Sequence, residues 1–193
     1  MLKKREVYPL LREKREELRE FIKEQLRKWY IRLSKSPQTA LVFFVGKKDG
    51  KKRMVQDYQC LNKWMVKNNY LLPLILDVIK NIGTKKMFMK MDLRWEYNNI
   101  RIKQGNKWKA VFTISEGSFE PTVMFFGLTN SPATFQIMMN ELLRNLINME
   151  KVVAFIDNII VGMEYKERHD ELVVEIIKRL EENNLYVKPE KCK

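Results

Sequence analysis

Apolar residues in this chain shift between a helical and an alternating period, and each shift predicts an element. Beneath a surface dense in Lys, Arg and Glu, Leu18, Ile22, Leu26, Trp29 and Leu33 recur at helical spacing, so residues 1–36 read as an amphipathic helical segment packed on another element. SKSPQT ends that pattern. ALVFFVGKKDGKKRMVQDY then reads as strand, turn, strand: a hairpin over residues 41–57 with Asp49-Gly50 as its type I′ turn signal. Leu74, Ile75, Val78, Ile79 and Ile82, closed by Gly83, space as a short helix over residues 73–82. In MFMKMDL the alternation sets Met87, Met89 and Met91 on one face and Phe88, Lys90 and Asp92 on the other, so Asp92 ends a strand. YNNIRI and WKAVFTI are predicted as further strands joined by a turn at Gly105. Ser131-Pro132 opens a helix with Phe135, Met138, Met139, Leu142, Leu143 and Leu146 on its core stripe. VVAFIDNIIV is a second hairpin, turning near Asp157-Asn158. A helix carrying Leu172, Val173, Ile176, Ile177 and Leu180 on one face follows, and NLYVKPEKCK begins a last strand.

This order of elements predicts an α+β fold, an antiparallel sheet covered on one face by helices. With 193 residues and 45% apolar content, the chain can form one large domain or one domain with a small lobe. The balance of 37 Lys+Arg against 24 Asp+Glu, net +13, points to a polyanionic partner, nucleic acid ahead of a membrane surface. No apolar run approaches the roughly 20 residues that span a bilayer, and MLKKREV lacks the apolar core of a signal peptide. The expectation is an intracellular protein, cytoplasmic or nuclear, with no membrane partner. Cys60 and Cys192 have no metal-ligand spacing and read as free thiols. Two charge features stay open on sequence alone. The charge of the first 36 residues is either a solvated face or a nucleic-acid contact. Lys47, Lys48, Lys51, Lys52 and Arg53 at the first hairpin tip either protect a sheet edge or form a basic flap over a phosphate chain.

Asp157 sits among apolar neighbours, where an unpaired carboxylate is costly unless it meets water or a cation. Asp and Asn are also ordinary turn residues, which accounts for the pair without any chemistry. Asp92 adds a second strand ending in a carboxylate. Two carboxylates side by side in a sheet repel unless divalent cations neutralise them, the arrangement that two-metal phosphoryl transfer requires.

The segments FFVGKKDGKKRMVQDYQCLN, KNNYLLPLI, MKMDLRWEYNNIRI, FGLTNSPATFQIMMN, FIDNIIV and ERHDEL followed by LYVKPEKC resemble, in order and spacing, the reverse transcriptase of gypsy-type LTR retrotransposons. The resemblance runs from about Leu18 to Lys191. It implies a right-hand polymerase fingers-and-palm architecture, with residues 37–86 as fingers carrying the basic hairpin and residues 87–193 as palm. FIDN stands where the family has YxDD, so the resemblance makes Asp92 and Asp157 metal-binding catalytic residues, with Asn158 in the place of a further Asp. It implies two Mg²⁺ or Mn²⁺ ions in an active enzyme, and an RNA or DNA template-primer and dNTP as partners. Lys47 or Lys48 together with Arg53 would grip the triphosphate, and Arg94, Phe126, Gly127 and Gln136 would belong to the nucleotide pocket. Tyr97 matches the aromatic gate that excludes a ribose 2′-hydroxyl, or is a core aromatic.

This sequence also departs from the family pattern. R-S-G-Y has become Arg94-Trp95-Glu96-Tyr97, VDYR has become QDYQ with Gln59 last, and Phe125 enters the segment before Gly127. The family continues past this chain's last residue into primer grip, thumb, connection and RNase H, which implies exposed apolar palm surface and self-association. Two readings follow: RNA-directed DNA synthesis weakened by Asn158 and the missing thumb, or a catalytically dead relic that binds nucleic acid or protein.

Overall fold

Helix α1 (Arg12–Arg27) forms where the helical spacing begins, and it buries Leu18, Ile22 and Gln25 while Leu26 stays partly exposed. The predicted stripe ends early. Trp29 takes a φ of 57°, the Tyr30 N–H bonds the Gln25 carbonyl at 3.0 Å, and the chain leaves the helix for strand β1 (Ile31–Leu33). Trp29 and Leu33, expected on the helix face, are therefore exposed, because one follows the helix end and the other lies in a strand.

The computed structural model describes residues 12–46, 52–73, 80, 83 and 85–193. Its fold is α+β, and it divides into two compact units, Met1–Lys67 with Ile100–Ser131, and Asn68–Asn99 with Pro132–Lys193. The chain passes between units after Lys67, Asn99 and Ser131, whereas the sequence reading divided it after residues 36 and 86. The difference arises because residues 100–131 carry a strand that pairs with β1 and a second strand that pairs with the first.

In the first unit, β5 (Phe112–Ile114) and β6 (Gly117–Pro121) complete an antiparallel sheet in the order β1-β6-β5. Strands β2 (Val42–Gly46) and β3 (Lys52–Gln56) form the predicted hairpin, in register from Val42↔Gln56 to Gly46↔Lys52. Lys47, Lys48 and the Asp49-Gly50 turn lie outside the described residues, and so does most of the helix predicted over residues 73–82. Leu18, Ile22, Ile31, Val42, Met54, Tyr58 and Phe112 share one core with Phe119, Val123 and Phe125, and the Tyr58 hydroxyl donates to the Ala110 carbonyl at 2.8 Å. Helix α2 (Gln59–Trp64) follows Tyr58.

The strands predicted for YNNIRI and WKAVFTI are mostly absent. Residues Glu96–Asn99 and Lys107–Ala110 form 3₁₀ turns, Arg101 makes a single bridge to Val123, and only Phe112–Ile114 is a strand. The left-handed Trp95, with φ 54°, starts the first of these turns through the Asn98 N–H to Trp95 carbonyl bond. The turn expected at Gly105 is present, with φ 85°.

The second unit contains β4 (Met87–Asp92), β7 (Val152–Phe155) and β8 (Asn158–Met163), antiparallel in the order β4-β8-β7. Its cross-strand rows separate the faces. Met91, Ile159 and Ala154 form a buried row, as do Val161 and Val152, while Lys90, Ile160 and Val153 alternate onto the opposite, more open face. Helix α3 (Ser131–Leu142) buries Phe135, Gln136 and Met139, and α4 (Arg144–Asn148) packs on β7. Helix α5 (Lys166–Glu182) packs on β8 and β4 and buries Leu172, Ile176 and Leu180, as its spacing predicted. The terminal residues return along the free edge of β4. Leu93 bridges Val187, the Lys188 N–H bonds the Asp92 carbonyl at 2.7 Å, and Lys90 and Lys193 exchange two backbone bonds.

Candidate catalytic site

The register of β4 and β8 sets Asp92 directly opposite Asn158, and β7 sets Phe155 on the other side of Asn158. The hairpin turn is one residue earlier than the sequence suggested. Its two loop residues are Ile156 and Asp157, and Asn158 already belongs to β8. The positive φ falls on Ile156, at 52°, not on the Asn that tolerates it best. A β-branched residue in that region stores strain of about 1–3 kcal/mol, so surrounding contacts must hold it. Gln136 supplies them. Its Oε1 accepts the Ile156 N–H at 2.8 Å, and its Nε2 donates to the Ala154 carbonyl and to Asn140 Oδ1, each at 2.8 Å. A further bond, Leu93 N–H to the Asp157 carbonyl at 2.8 Å, ties the turn to the end of β4 and draws both aspartates to one end of the sheet.

Each carboxylate has a partner. Asp157 Oδ1 accepts a hydrogen bond from Asn158 Nδ2 at 2.9 Å. Asp92, 8% exposed, meets Lys188 Nζ at 2.5 Å and Lys191 Nζ at 3.9 Å, one ammonium on each oxygen. Sequence reasoning missed Lys188. Its position in KPEK looks like ordinary surface charge, and only the return of the chain along β4 brings it to Asp92. Asn158 Oδ1 is buried and has no hydrogen-bond partner among the described residues.

Other candidate residues are distributed more widely. Gln136 is fully buried with both ends of its amide engaged, so in this structure it positions the turn and offers nothing to a substrate. Arg94 bonds the Tyr186 carbonyl through its N–H at 2.7 Å. Its guanidinium lies 4.0 Å from Glu190, beside a groove with Ile177, Leu180, Leu185 and Tyr186. Tyr97 is buried edge-on against Phe135, with ring centroids 6.2 Å apart at 85°. Phe126 and Gly127 lie in the first unit, where Gly127 has φ 95° and a Cβ there would sit 3.0 Å from the Gln56 carbonyl oxygen. Asn62, which the sequence did not single out, donates to the Gly127 carbonyl at 2.7 Å and accepts the Thr129 N–H at 3.0 Å. Arg53 is placed by its backbone alone, opposite Val45.

The donors available at the end of the β4–β8 pair are two carboxylates and one unsatisfied amide oxygen. These are hard oxygen ligands of the kind Mg²⁺ and Mn²⁺ take, and the orphaned Asn158 Oδ1 is an acceptor that a cation would satisfy. No group of three His, Cys, Asp or Glu side chains stands together as a metal cluster among the described residues. The residues therefore fit a hard divalent cation, with one negative charge fewer than three carboxylates would supply.

The sequence profile of the family described as "Reverse transcriptase (RNA-dependent DNA polymerase)" matches residues 45–193. The chain belongs to the reverse transcriptase family. It is 35% identical over 185 residues to the Transposon Tf2-7 polyprotein of Schizosaccharomyces pombe (strain 972 / ATCC 24843), and equally so to the Tf2-3 polyprotein. These alignments cover 96% of the chain and 14% of each polyprotein, so the chain spans about one seventh of the length of the curated relatives it matches. The fold matches that of the foamy viral protease-reverse transcriptase solved in complex with dsDNA, at TM-score 0.89 and 23% identity, covering 100% of this chain and 40% of that one. The form solved with an RNA/DNA hybrid gives TM-score 0.88 at 22% identity, covering 97% and 25%. Asp92, Asp157 and Asn158 all fall inside the span that the family profile matches.

Proposed function

We propose that this chain is the fingers-and-palm portion of a gypsy-type retrotransposon reverse transcriptase, transferring nucleotides from dNTP to a primer 3′-hydroxyl under template direction, at a rate lowered by Asn158. The observation that carries this reading is the β4–β8 register, which sets Asp92 against Asn158 while the Leu93–Asp157 bond holds the second carboxylate at the same sheet end. Asp92 and Asp157 would hold Mg²⁺ or Mn²⁺, which when bound supplies the positive charge that acidifies the attacking hydroxyl and steadies the leaving oxygen. Gln136 keeps the turn in the strained form that carries Asp157. Tyr97 would face the sugar, while Lys47 or Lys48, Arg53 and Arg94 would meet the triphosphate, a task suited to their charge and, for arginine, to its fork. Phe126 and Gly127 would line the nucleotide pocket.

A polyanionic template-primer suits the net charge of +13, and the foamy viral relatives were solved in complex with an RNA/DNA hybrid and with dsDNA. Asn158 can offer its carbonyl oxygen but no charge. If the missing carboxylate removes about 3 kcal/mol of transition-state stabilisation, the rate falls roughly a hundredfold. The second reading, a nucleic-acid-binding relic without synthesis, is favoured by one observation: both oxygens of Asp92 already face lysines.

Primer extension on an RNA template with Mg²⁺ and with Mn²⁺, the parent beside Asn158→Asp, separates the two. Extension by the variant at a rate at least about tenfold above the parent supports the polymerase. No extension by either protein, with duplex binding intact, supports the relic.

A further inference from the structure

We propose that Lys188 is a built-in counter-ion that competes with a divalent cation for Asp92 and so sets how tightly this site takes metal. This rests on the reading of Asp92 and Asp157 as metal-holding residues. The contact is built into the backbone. The Lys188 N–H bonds the Asp92 carbonyl at 2.7 Å, Val187 bridges Leu93, and Lys193 exchanges two bonds with Lys90, so the returning chain is registered against β4 on both sides of Lys188. In that register Lys188 Nζ lies 2.5 Å from Asp92 Oδ1, and the two side chains are only 22% and 12% exposed. Attraction between opposite charges so far removed from water is screened far less than on an open surface.

The surroundings add to the effect. Lys191 Nζ lies 3.9 Å from the second Asp92 oxygen, and Lys90, two residues before Asp92 on the same strand, shares its face of the sheet. Two carboxylates thus share the site with the ammonium groups of Lys188 and Lys191, while Asn158, the third oxygen donor, brings no charge. A cation entering here must displace an ammonium from Asp92 before it can use that carboxylate. Asp157, whose partner is the neutral Asn158 amide, has no such competitor among the described residues. Metal affinity in this chain is therefore governed as much by Lys188 as by the carboxylates.

The test is calorimetric titration of Mn²⁺ into the parent, Lys188→Met and Lys188→Arg proteins, each first checked for a cooperative thermal transition. Lys188→Met should bind Mn²⁺ at least about tenfold more tightly than the parent, and Lys188→Arg should stay close to the parent. Equal affinity of the parent and Lys188→Met would overturn the competition while leaving the metal reading intact. Absence of Mn²⁺ binding in all three proteins would overturn the metal reading and the competition with it. Should Lys188→Met fail to fold, amine labelling of the parent followed by mass spectrometry gives the same answer. Lys188 should become several-fold more reactive at saturating Mn²⁺, and unchanged reactivity there overturns the proposal.

Discussion

Gln136 and Ile156 together decide whether the Asp157 turn exists. Replacing Gln136 by Leu would leave the Ile156 N–H and the Ala154 carbonyl without partners in the interior, each costing about 1–3 kcal/mol, and a thermal melt should show a loss of several degrees or more. The Asn158→Asp substitution that restores a carboxylate sets it directly opposite Asp92, and like charges so placed cost up to about 1 kcal/mol in metal-free protein. Mn²⁺ should return that stability, read as a larger metal-dependent rise in Tm than the parent shows. Tyr58 carries a third residue-level expectation. Burial pushes its phenol well above the ordinary value near 10, so its contribution to stability is complete below that value and is lost as pH rises from there toward the raised folded pKa. Tyr58→Phe should flatten the alkaline limb of the stability profile measured by urea unfolding, at a modest cost from the lost bond to Ala110.

At the scale of elements, what mattered was where a regular pattern stops. The helical spacing from Leu18 continues on paper to Leu33, yet Trp29 turns left-handed and Leu33, the last residue of that stripe, pairs with β6 instead. Local spacing cannot register a strand partner that lies some ninety residues later. Alternation in MFMKMDL did give the correct faces, because a strand with one buried side must place every second residue in the core. In the second hairpin unbroken alternation would put Asn158 on the face of Ala154, but the two-residue turn at Ile156-Asp157 resets the phase and pairs Asn158 with Phe155. The loop at Gly127 shows a further constraint of this kind. With φ 95° and the Gln56 carbonyl 3.0 Å from a would-be Cβ, Gly127→Ala should cost at least about 1–2 kcal/mol in denaturant unfolding, whatever the residue does for a nucleotide.

Across the whole molecule, the net charge of +13 gives the nucleic-acid reading its most direct check. Binding of a short RNA/DNA duplex should weaken steeply as salt rises from about 50 to 200 mM, and a flat response would count against a phosphate backbone as the partner. The interleaved units carry a second consequence. Ile176 is wholly buried in the unit that bears Asp92 and Asp157, so Ile176→Ala should destabilise by about 2–5 kcal/mol and lower metal-dependent stabilisation with it.

The sequence alone determined the α+β class, the strand that ends at Asp92, the helix faces of α3 and α5, and the family, because period, turn chemistry and motif order are local properties that survive without coordinates. It could pick out Asp92, Asp157 and Asn158 as candidates for one site. The tertiary structure decided how they meet: the turn at Ile156-Asp157, the hold of Gln136 on it, and the lysine at Asp92. Each of those depends on groups far apart in sequence, Gln136 with Ile156 and Lys188 with Asp92, and a contact across 96 residues leaves no trace in the spacing of either partner.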